Sequence, residues 1–449
     1  MSLISSDRVR AVVGLGVSGV ATVRFLAQQG LDFYVVDSRE QPPGLAEVEA
    51  LCPKERIFTG DLQVLTTLGV TELFVSPGIA LATPVLQQLA ADGVAMRGDI
   101  DLFRDYAKAP IVAITGSNAK STVTTLVNEL LLASGKRSVA GGNLGLPALD
   151  LLDDAVDCYV LELSSFQLET THALKADVAC LLNVSADHMD RYDDLYSYQR
   201  AKQRIYRGCQ AAVCNKQDIL TAPLLPQDTP VRTFTTASPD LKEFGLLKDS
   251  DGTWLSYGVK RLYNTDSIRL KGAHNHANVL ACLAILDVMG LPIDTPEIAQ
   301  VLAQYSGLPH RCETVREVNG VTYINDSKGT NVGATLAALE GLGNKQQKTL
   351  HLLAGGVGKG ADFAPLAPAL AKFVKHLYVF GKDAQNIIDI VPEGTPYSRA
   401  ETLDEAMRAL ATEVNAGDVV LFSPACASFD QYKNFETRGQ HFCQLVSAL

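Results

Sequence analysis

The chain has 449 residues and a formal net charge of −11, from 39 Lys+Arg against 50 Asp+Glu. At roughly 150 residues per domain this length predicts about three domains, and a 47% hydrophobic, 20% charged composition can bury ordinary cores. The acidic balance gives no basic footprint for nucleic acid and no general attraction to anionic membranes, so any anionic ligand must be held by local groups.

The nine cysteines run from Cys52 to Cys443 without a C-x-x-C pair, which argues against a zinc ribbon or a disulfide framework and for reduced thiols in the cytosol. Met1 to Arg8 holds no basic region leading into an apolar stretch, and no run of 18 apolar residues occurs. The expectation is an unexported cytoplasmic protein with no membrane insertion.

The first block predicts a strand over Val9 to Val13, a glycine turn Gly14-Leu15-Gly16-Val17-Ser18-Gly19, and a helix to about Gln29. Apolar runs Phe33 to Val36, ending in Asp37, and Leu73 to Val75, ending in Ser76-Pro77-Gly78, continue a strand-then-polar-turn rhythm typical of a parallel sheet. Gly14, Gly16 and Gly19 with Asp37 match the dinucleotide fingerprint, in which backbone approaches a pyrophosphate and a carboxylate takes ribose hydroxyls. A tight strand-to-helix turn without ligand is the other reading, and the motif does not say which nucleotide binds.

A second α/β run starts after Lys108-Ala109-Pro110: a strand over Ile111 to Ile114, a polar loop, and a helix over about Ser121 to Ser134. The loop Thr115-Gly116-Ser117-Asn118-Ala119-Lys120-Ser121-Thr122 suits a phosphate held by backbone N–H groups and a Lys, with a hydroxyl for Mg²⁺. It departs from the standard phosphate-loop pattern, whose two glycine positions hold Ile114 and Ala119. Strands are expected at Cys158 to Leu163, Val178 to Leu182 and Ala211 to Cys214. Glu162 and Asp187-His188-Met189-Asp190 at their ends suit Mg²⁺ ligands. Residues 223–270, with the only Trp (Trp254), read as loops and short strands before a helix at His274-Asn275.

Ser306-Gly307-Leu308-Pro309 reads as a linker. Beyond it, strands are expected at Val321 to Ile324, Thr349 to Leu353, His376 to Phe380 and Val419 to Phe422. Asn325-Asp326-Ser327-Lys328, Gly355-Gly356-Val357-Gly358-Lys359 and Ser423-Pro424-Ala425-Cys426-Ala427-Ser428 follow three of them, small residues and lysines that suit a carboxylate or phosphate. Cys426 has no evident base beside it and reads as a packed small residue. The fold expected is three α/β domains: residues 1–98, Rossmann-like; 99–307, like a phosphate-loop ATPase with a mostly parallel sheet; and 308–449, Rossmann-like. The residues alone point to ATP- and Mg²⁺-dependent transfer or ligation, with a second nucleotide-like ligand on the first domain.

In one order along the chain stand the phosphate loop, Glu162-Leu163-Ser164-Ser165-Phe166-Gln167-Leu168-Glu169, Asp187-His188-Met189-Asp190-Arg191-Tyr192, His274-Asn275, Leu308-Pro309-His310-Arg311, Asn325-Asp326-Ser327-Lys328 and Ser423-Pro424-Ala425-Cys426-Ala427-Ser428. This set resembles the Mur ligases, and among them the D-glutamate-adding branch, from Gly14 to Gly439. The resemblance implies a monomer that uses ATP to turn a substrate carboxylate into an acyl phosphate, which the amine of D-glutamate then attacks. It implies ATP contacts at Gly116, Ser117, Asn118, Ala119, Lys120, Ser121, Thr122, Asn275, His310, Arg311 and Asp326. Two Mg²⁺ ions are implied on Ser121, Glu162, His188 and Lys202, the last as a carbamate. Lys120, His188, Lys202 and Lys328 take catalytic positions. The uridine diphosphate part of UDP-N-acetylmuramoyl-L-alanine falls to Leu15, Gly16, Val17, Ser18, Asp37, Ser38, Arg39, Ser76, Pro77, Gly78 and Asn143, and D-glutamate to Thr330, Lys359, Ser428 and Phe435.

Two positions depart from the resemblance. Ala119 stands where these ligases usually have glycine, which would cost about 1–2 kcal/mol if the position needs φ > 0. Gly329 replaces the more usual alanine, which loosens the turn. Three other readings stay open: an NAD-dependent dehydrogenase, which leaves the phosphate loop unexplained; a non-catalytic nucleotide-binding scaffold; and a family member that adds another amino acid. Domain closure is expected, since the sites lie on different domains.

Overall fold

The computed structural model describes residues 8–172, 174–343 and 346–449; the N-terminal stretch read above lies, up to Asp7, outside them. Among the described residues, twenty strands fall into three sheets in chain order. The first sheet holds β1 (Arg10–Val13), β2 (Tyr34–Asp37), β3 (Ile57–Thr59), β4 (Glu72–Val75) and β5 (Ala95–Arg97), ordered β3-β2-β1-β4-β5 and wholly parallel. The second holds β6 (Ile111–Thr115), β7 (Ser138–Gly142), β8 (Cys158–Glu162), β9 (Val178–Leu181), β10 (Ala211–Asn215), β11 (Val231–Phe234), β12 (Phe244–Asp249), β13 (Gly252–Tyr257) and β14 (Lys260–Asn264). Its order is β14-β13-β12-β11-β10-β9-β6-β8-β7; the β12-β13-β14 meander is antiparallel and the rest parallel. The third holds β15 (Glu313–Val318), β16 (Val321–Asn325), β17 (Leu350–Gly355), β18 (Val374–Phe380), β19 (Tyr397–Arg399) and β20 (Val419–Phe422), ordered β15-β16-β20-β17-β18-β19 with only β15 antiparallel.

The strands legible as apolar runs are the inner ones, since a parallel sheet covered on both faces buries both sides of each strand. Ile111 to Ile114 are 0% exposed, as are Val12 and Val13. Five strands went unread, β3, β5, β7, β15 and β19, and each lies at the edge of its sheet. An edge strand is covered on fewer sides and carries no apolar run, as the half-exposed pattern of Ala95–Arg97 illustrates. The polar region before the His274-Asn275 helix is the meander, with the Arg261 guanidinium over the Trp254 ring.

One apolar cluster runs unbroken from the first sheet into the second: Val12, Leu26 and Phe103 share it with Tyr159, Leu161 and Leu181. The other face of the second sheet is covered by helix Lys120–Ala133 and by helix Ala273–Val288, whose residues Asn278–Leu286 are all buried. The third sheet has its own clusters on its two faces. Among the described residues no helix is long and apolar enough to cross a membrane.

Candidate active site

In the first sheet the order reverses between β1 and β4, and the loops that follow these strands meet there, where open α/β sheets bind ligands. Ser76 Oγ donates to Gly14 O at 2.6 Å, and Gly14 holds φ = 92°. A Cβ on Gly19 would lie 1.8 Å from Gly14 O, so only glycine lets helix Val17–Gln28 close on the turn. The first N–H groups of that helix have no side-chain cap and Val17 is 74% exposed, leaving the turn open. Asp37, however, is 0% exposed and fully engaged: Oδ2 accepts from Leu15 N at 2.6 Å and Arg39 Nη2 at 2.7 Å, and Oδ1 accepts from Arg39 N and Nε. Burial pushes this carboxyl up, but the Arg39 hydrogen bonds outweigh it and hold the pKa below the usual range. In this structure the Asp37 carboxylate pins the glycine turn, and half-exposed Arg39 and exposed Ser38 are the groups that face outward.

The phosphate loop follows β6 at the centre of the second sheet. Ala119 sits at φ = 66° and caps helix Lys120–Ala133, so the alanine does occupy a left-handed position. Lys120 Nζ folds back on its own loop, donating to Gly116 O at 2.9 Å and Ser117 O at 3.0 Å. Lys202, 1% exposed, donates to the same Gly116 carbonyl at 2.8 Å and lies over the Tyr198 ring. Burial pushes the Lys120 ammonium down, and burial together with Lys120 pushes Lys202 well below the ordinary lysine value. Neither is in ion-pair contact with a carboxylate among the described residues. Ser121 and Thr122 are buried in the first helical turn, the usual place for anion-facing N–H groups.

Around this loop stand the ends of β8 and β9. Glu162 is 2% exposed; Oε1 accepts from Asn143 Nδ2 at 2.7 Å, while buried Oε2 has no hydrogen-bond partner. An unpartnered buried carboxylate oxygen is costly unless a cation faces it, and Ser121, Glu162 and His188 form an oxygen- and nitrogen-bearing set that fits Mg²⁺. His188, at φ = 59°, packs its ring on Phe166, and burial pushes the imidazole down to about 4, the neutral form that can ligate. Asp187 is paired with Lys359 and accepts from Asn331 Nδ2 at 3.1 Å; burial pushes its carboxyl up, but Lys359 and His188 hold it below the ordinary value.

The third sheet supplies the opposite wall. Arg311 Nη2 donates to Ser121 Oγ at 2.7 Å. Buried Asp326 accepts from Ser423 Oγ at 2.6 Å and Cys312 N at 3.1 Å, and burial pushes it up to about 6. Lys328 Nζ lies 4.0 Å from the centre of the Phe435 ring, and burial, with Arg311 and Lys120 nearby, pushes it down to about 8. At Gly329 a Cβ would come 2.6 Å from Ser423 Oγ and 2.7 Å from Asp326 Oδ2, so the glycine does more than loosen this turn: it lets the loop close on the buried carboxylate. Cys426 is fully buried and burial pushes its thiol up to about 12, as befits a packing residue.

These walls enclose a cleft of about 1080 Å³ that gathers the phosphate loop, Glu162, His188, Lys202, Asn275, Arg311, Asp326, Lys328, Thr330, Lys359, Ser428 and Phe435. Gly78 and Asn143 reach it, whereas Leu15 to Ser18 and Asp37 to Arg39 lie off it along the first sheet. His310 does not line it: its ring Nδ1 is 2.8 Å from Asn325 Nδ2, packed against helix Phe435–Ser447. Sequence reading missed Asn331, whose side chain caps helix Val332–Leu342 and exchanges hydrogen bonds with Asn118 at 3.1 and 3.3 Å. An Asn before an apolar helix reads only as a cap. Arg438 was also missed: 0% exposed, it donates to Ser327 O and Cys426 O and braces two cleft loops.

Three family descriptions match in succession: the N-terminal domain of Mur ligases like the D-glutamate-adding one at residues 8–98, the Mur ligase middle domain at 114–286, and the Mur ligase glutamate ligase domain at 310–426. The UDP-N-acetylmuramoylalanine--D-glutamate ligases of Pseudomonas aeruginosa and Hahella chejuensis are 52% and 46% identical to this chain, each over all of both chains. Among solved structures, UDP-N-acetylmuramate-alanine ligase from Thermotoga maritima aligns with TM-score 0.61 at 19% identity, covering 98% of this chain and 99% of that one. The MurF ligase of the same organism, solved with ADP, aligns with TM-score 0.61 at 17% identity, covering 98% and 96%. The three-sheet fold, the order of the motifs and full-length identity near one half agree: this chain belongs to the Mur ligase family.

Proposed function

We propose that this chain joins D-glutamate to UDP-N-acetylmuramoyl-L-alanine in the cytoplasm, consuming one ATP and releasing ADP and phosphate, as a monomer with three units at 1–98, 99–307 and 308–449. The observation that carries the reading is the cleft in which a phosphate loop, a carboxylate with an unpartnered oxygen and six lysine and arginine side chains from two sheets converge. Full-length relatives that bear the name of that reaction support it.

A carboxylate is a poor electrophile at neutral pH, so its oxygen first takes the γ-phosphoryl group of ATP, with ADP leaving. The amine of D-glutamate then attacks the acyl carbon, and the tetrahedral intermediate expels phosphate and loses the amine proton to solvent. Lys120 and the first N–H groups of helix Lys120–Ala133 hold the phosphates. Ser121, Glu162 and His188 would hold Mg²⁺, which supplies charge neutralisation at the phosphoryl oxygens. Lys202 fits a carbamate: it is buried, and burial and Lys120 disfavour its ammonium form, so the free amine, the form that adds carbon dioxide, is favoured relative to an ordinary lysine, and the product would be a further oxygen ligand. Lys328 sits at the far wall, where it can neutralise the anionic intermediate; Lys359, Thr330, Ser428 and Phe435 flank it as the seat of the glutamate. The loops after β1 and β4 hold the uridine diphosphate, with Arg39 facing outward.

The test is phosphate release with ATP, Mg²⁺ and UDP-N-acetylmuramoyl-L-alanine, comparing D-glutamate with L-glutamate, D-aspartate, L-lysine and no amino acid. Release confined to D-glutamate with equimolar amide product is the expected result. Release with a different amino acid moves the chain to another branch, and binding without release makes it a scaffold.

A further inference from the structure

Arg191 occupies a junction that the reaction above does not use. Its Nη1 donates to Pro77 O at 2.9 Å and its Nη2 lies 3.5 Å from Ile79 O, both in the loop that follows β4 of the first sheet. The same guanidinium is ion-paired with Glu169 at 2.7 Å, each side chain less than 20% exposed, and lies over the Phe166 ring, its central carbon 4.1 Å from the ring centre. Phe166 and Glu169 belong to the one-and-a-half-turn helix Ser165–Glu169 just after Glu162, and the Phe166 ring is the surface on which His188 packs. Arg191 itself leaves the turn that His188 begins, since Arg191 N and Tyr192 N both donate to His188 O. Tyr192 Oη completes the unit by donating to the second Glu169 oxygen at 2.5 Å.

One planar cation therefore binds three segments at once: a substrate loop of the first sheet, the helix behind Glu162, and the turn carrying His188. We propose that Arg191 is a positioning residue that couples binding of the uridine-nucleotide substrate on the first sheet to binding of the magnesium nucleotide on the second. This inference rests on the ligase reading and extends it. A shift of the Pro77–Ile79 carbonyls moves the guanidinium, and with it the Phe166 ring and the His188 turn, because the one rigid planar group is held by all three segments at once. Lysine keeps the charge but offers neither the two parallel donors nor the flat face.

The test is calorimetric titration of the full chain with UDP-N-acetylmuramoyl-L-alanine, with and without saturating Mg²⁺ and a non-hydrolysable ATP analogue. In the unmutated protein the nucleotide should tighten substrate binding by about 5- to 150-fold, the usual span of coupling between sites. In Arg191→Lys and Arg191→Gln that factor should fall to within about twofold of one, while each ligand alone binds within about threefold of normal. Arg24→Ala, which removes a different link between the first and second sheets, the ion pair of Arg24 with Asp150, should keep the full factor. An unchanged factor in folded Arg191→Lys, no coupling in the unmutated protein, or equal loss in Arg24→Ala overturns the proposal. If the unmutated protein binds the nucleotide but not the substrate, it is the ligase reading that falls, and this inference falls with it.

Discussion

Lys359, in the loop after β17, is ion-paired across the cleft with Asp187, in the loop after β9. Both side chains are largely buried, at 14% and 8% exposed, so the pair is better shielded from solvent than a surface pair. A substrate carboxylate that takes over Lys359 competes with Asp187, and hydrogen bonds to charged groups contribute roughly 1.5–3 kcal/mol. Lys359→Ala should raise the D-glutamate KM by about 10- to 100-fold and change the ATP KM by less than about threefold. Steady-state kinetics with each substrate varied in turn decides it, and equal rises in both would remove the assigned role.

Ala119 at φ = 66° holds a conformation that places Cβ against the following backbone. Ala119→Gly removes that cost, about 1–2 kcal/mol, and loses roughly 0.4–1 kcal/mol to the freer unfolded chain. The net gain should be about 0.5–1 kcal/mol by denaturant titration, with ATP binding retained. A loss of stability would show that the loop carries no strain at this residue.

Glu162 presents one oxygen to Asn143 and leaves the other without a partner. In Glu162→Gln the amide oxygen can keep the Asn143 bond, which turns the amide nitrogen toward the phosphate loop. Activity should fall at least about 100-fold, consistent with loss of an electrostatic group from the site, while the melting temperature stays level or rises. Near-normal turnover at ordinary Mg²⁺ concentration would exclude Glu162 as a ligand.

Lys328 is pushed down to about 8 from 10.5 by burial. Below pH 8 the folded protein carries this buried charge at full cost. Between pH 8 and 10.5 the unfolded chain binds the extra proton, so this group's contribution to stability improves as pH rises. Activity runs the other way, since the cation is lost: kcat/KM for ATP should fall above about pH 8, and Lys328→Arg, whose charge persists, should move or flatten that limb. An identical limb in Lys328→Arg would assign it to another group.

Inner strands such as Ile111–Thr115 were legible because both of their faces are buried and the run is continuously apolar. Tyr397–Arg399 and Glu313–Val318 were not, because an edge strand's exposed side accepts any residue and leaves no continuous apolar run. The cleft was legible where chemistry is tied to strand ends, as at Lys120, Glu162 and Lys359. The internal engagement of Asp37 was not legible, since nothing in the local sequence shows that this carboxylate accepts from the Leu15 N–H of its own glycine turn. Asn331 bonds to Asn118 and Arg438 to Ser327, each more than 100 positions away, and no local pattern records these contacts.

The unbroken apolar cluster between the first and second sheets contrasts with the polar junction to the third, made by Arg311 on Ser121, Asn331 on Asn118 and Lys359 on Asp187. A single cut of the chain would therefore be felt very differently at two places. A break near Gly98 leaves the ends glued by a common hydrophobic interior, and the pieces stay together. A break between Ser306 and Pro309 leaves a junction in which hydrogen bonds and an ion pair take the place of a shared apolar interior, and water can replace these one by one, so the last 140 or so residues would be the part that comes away.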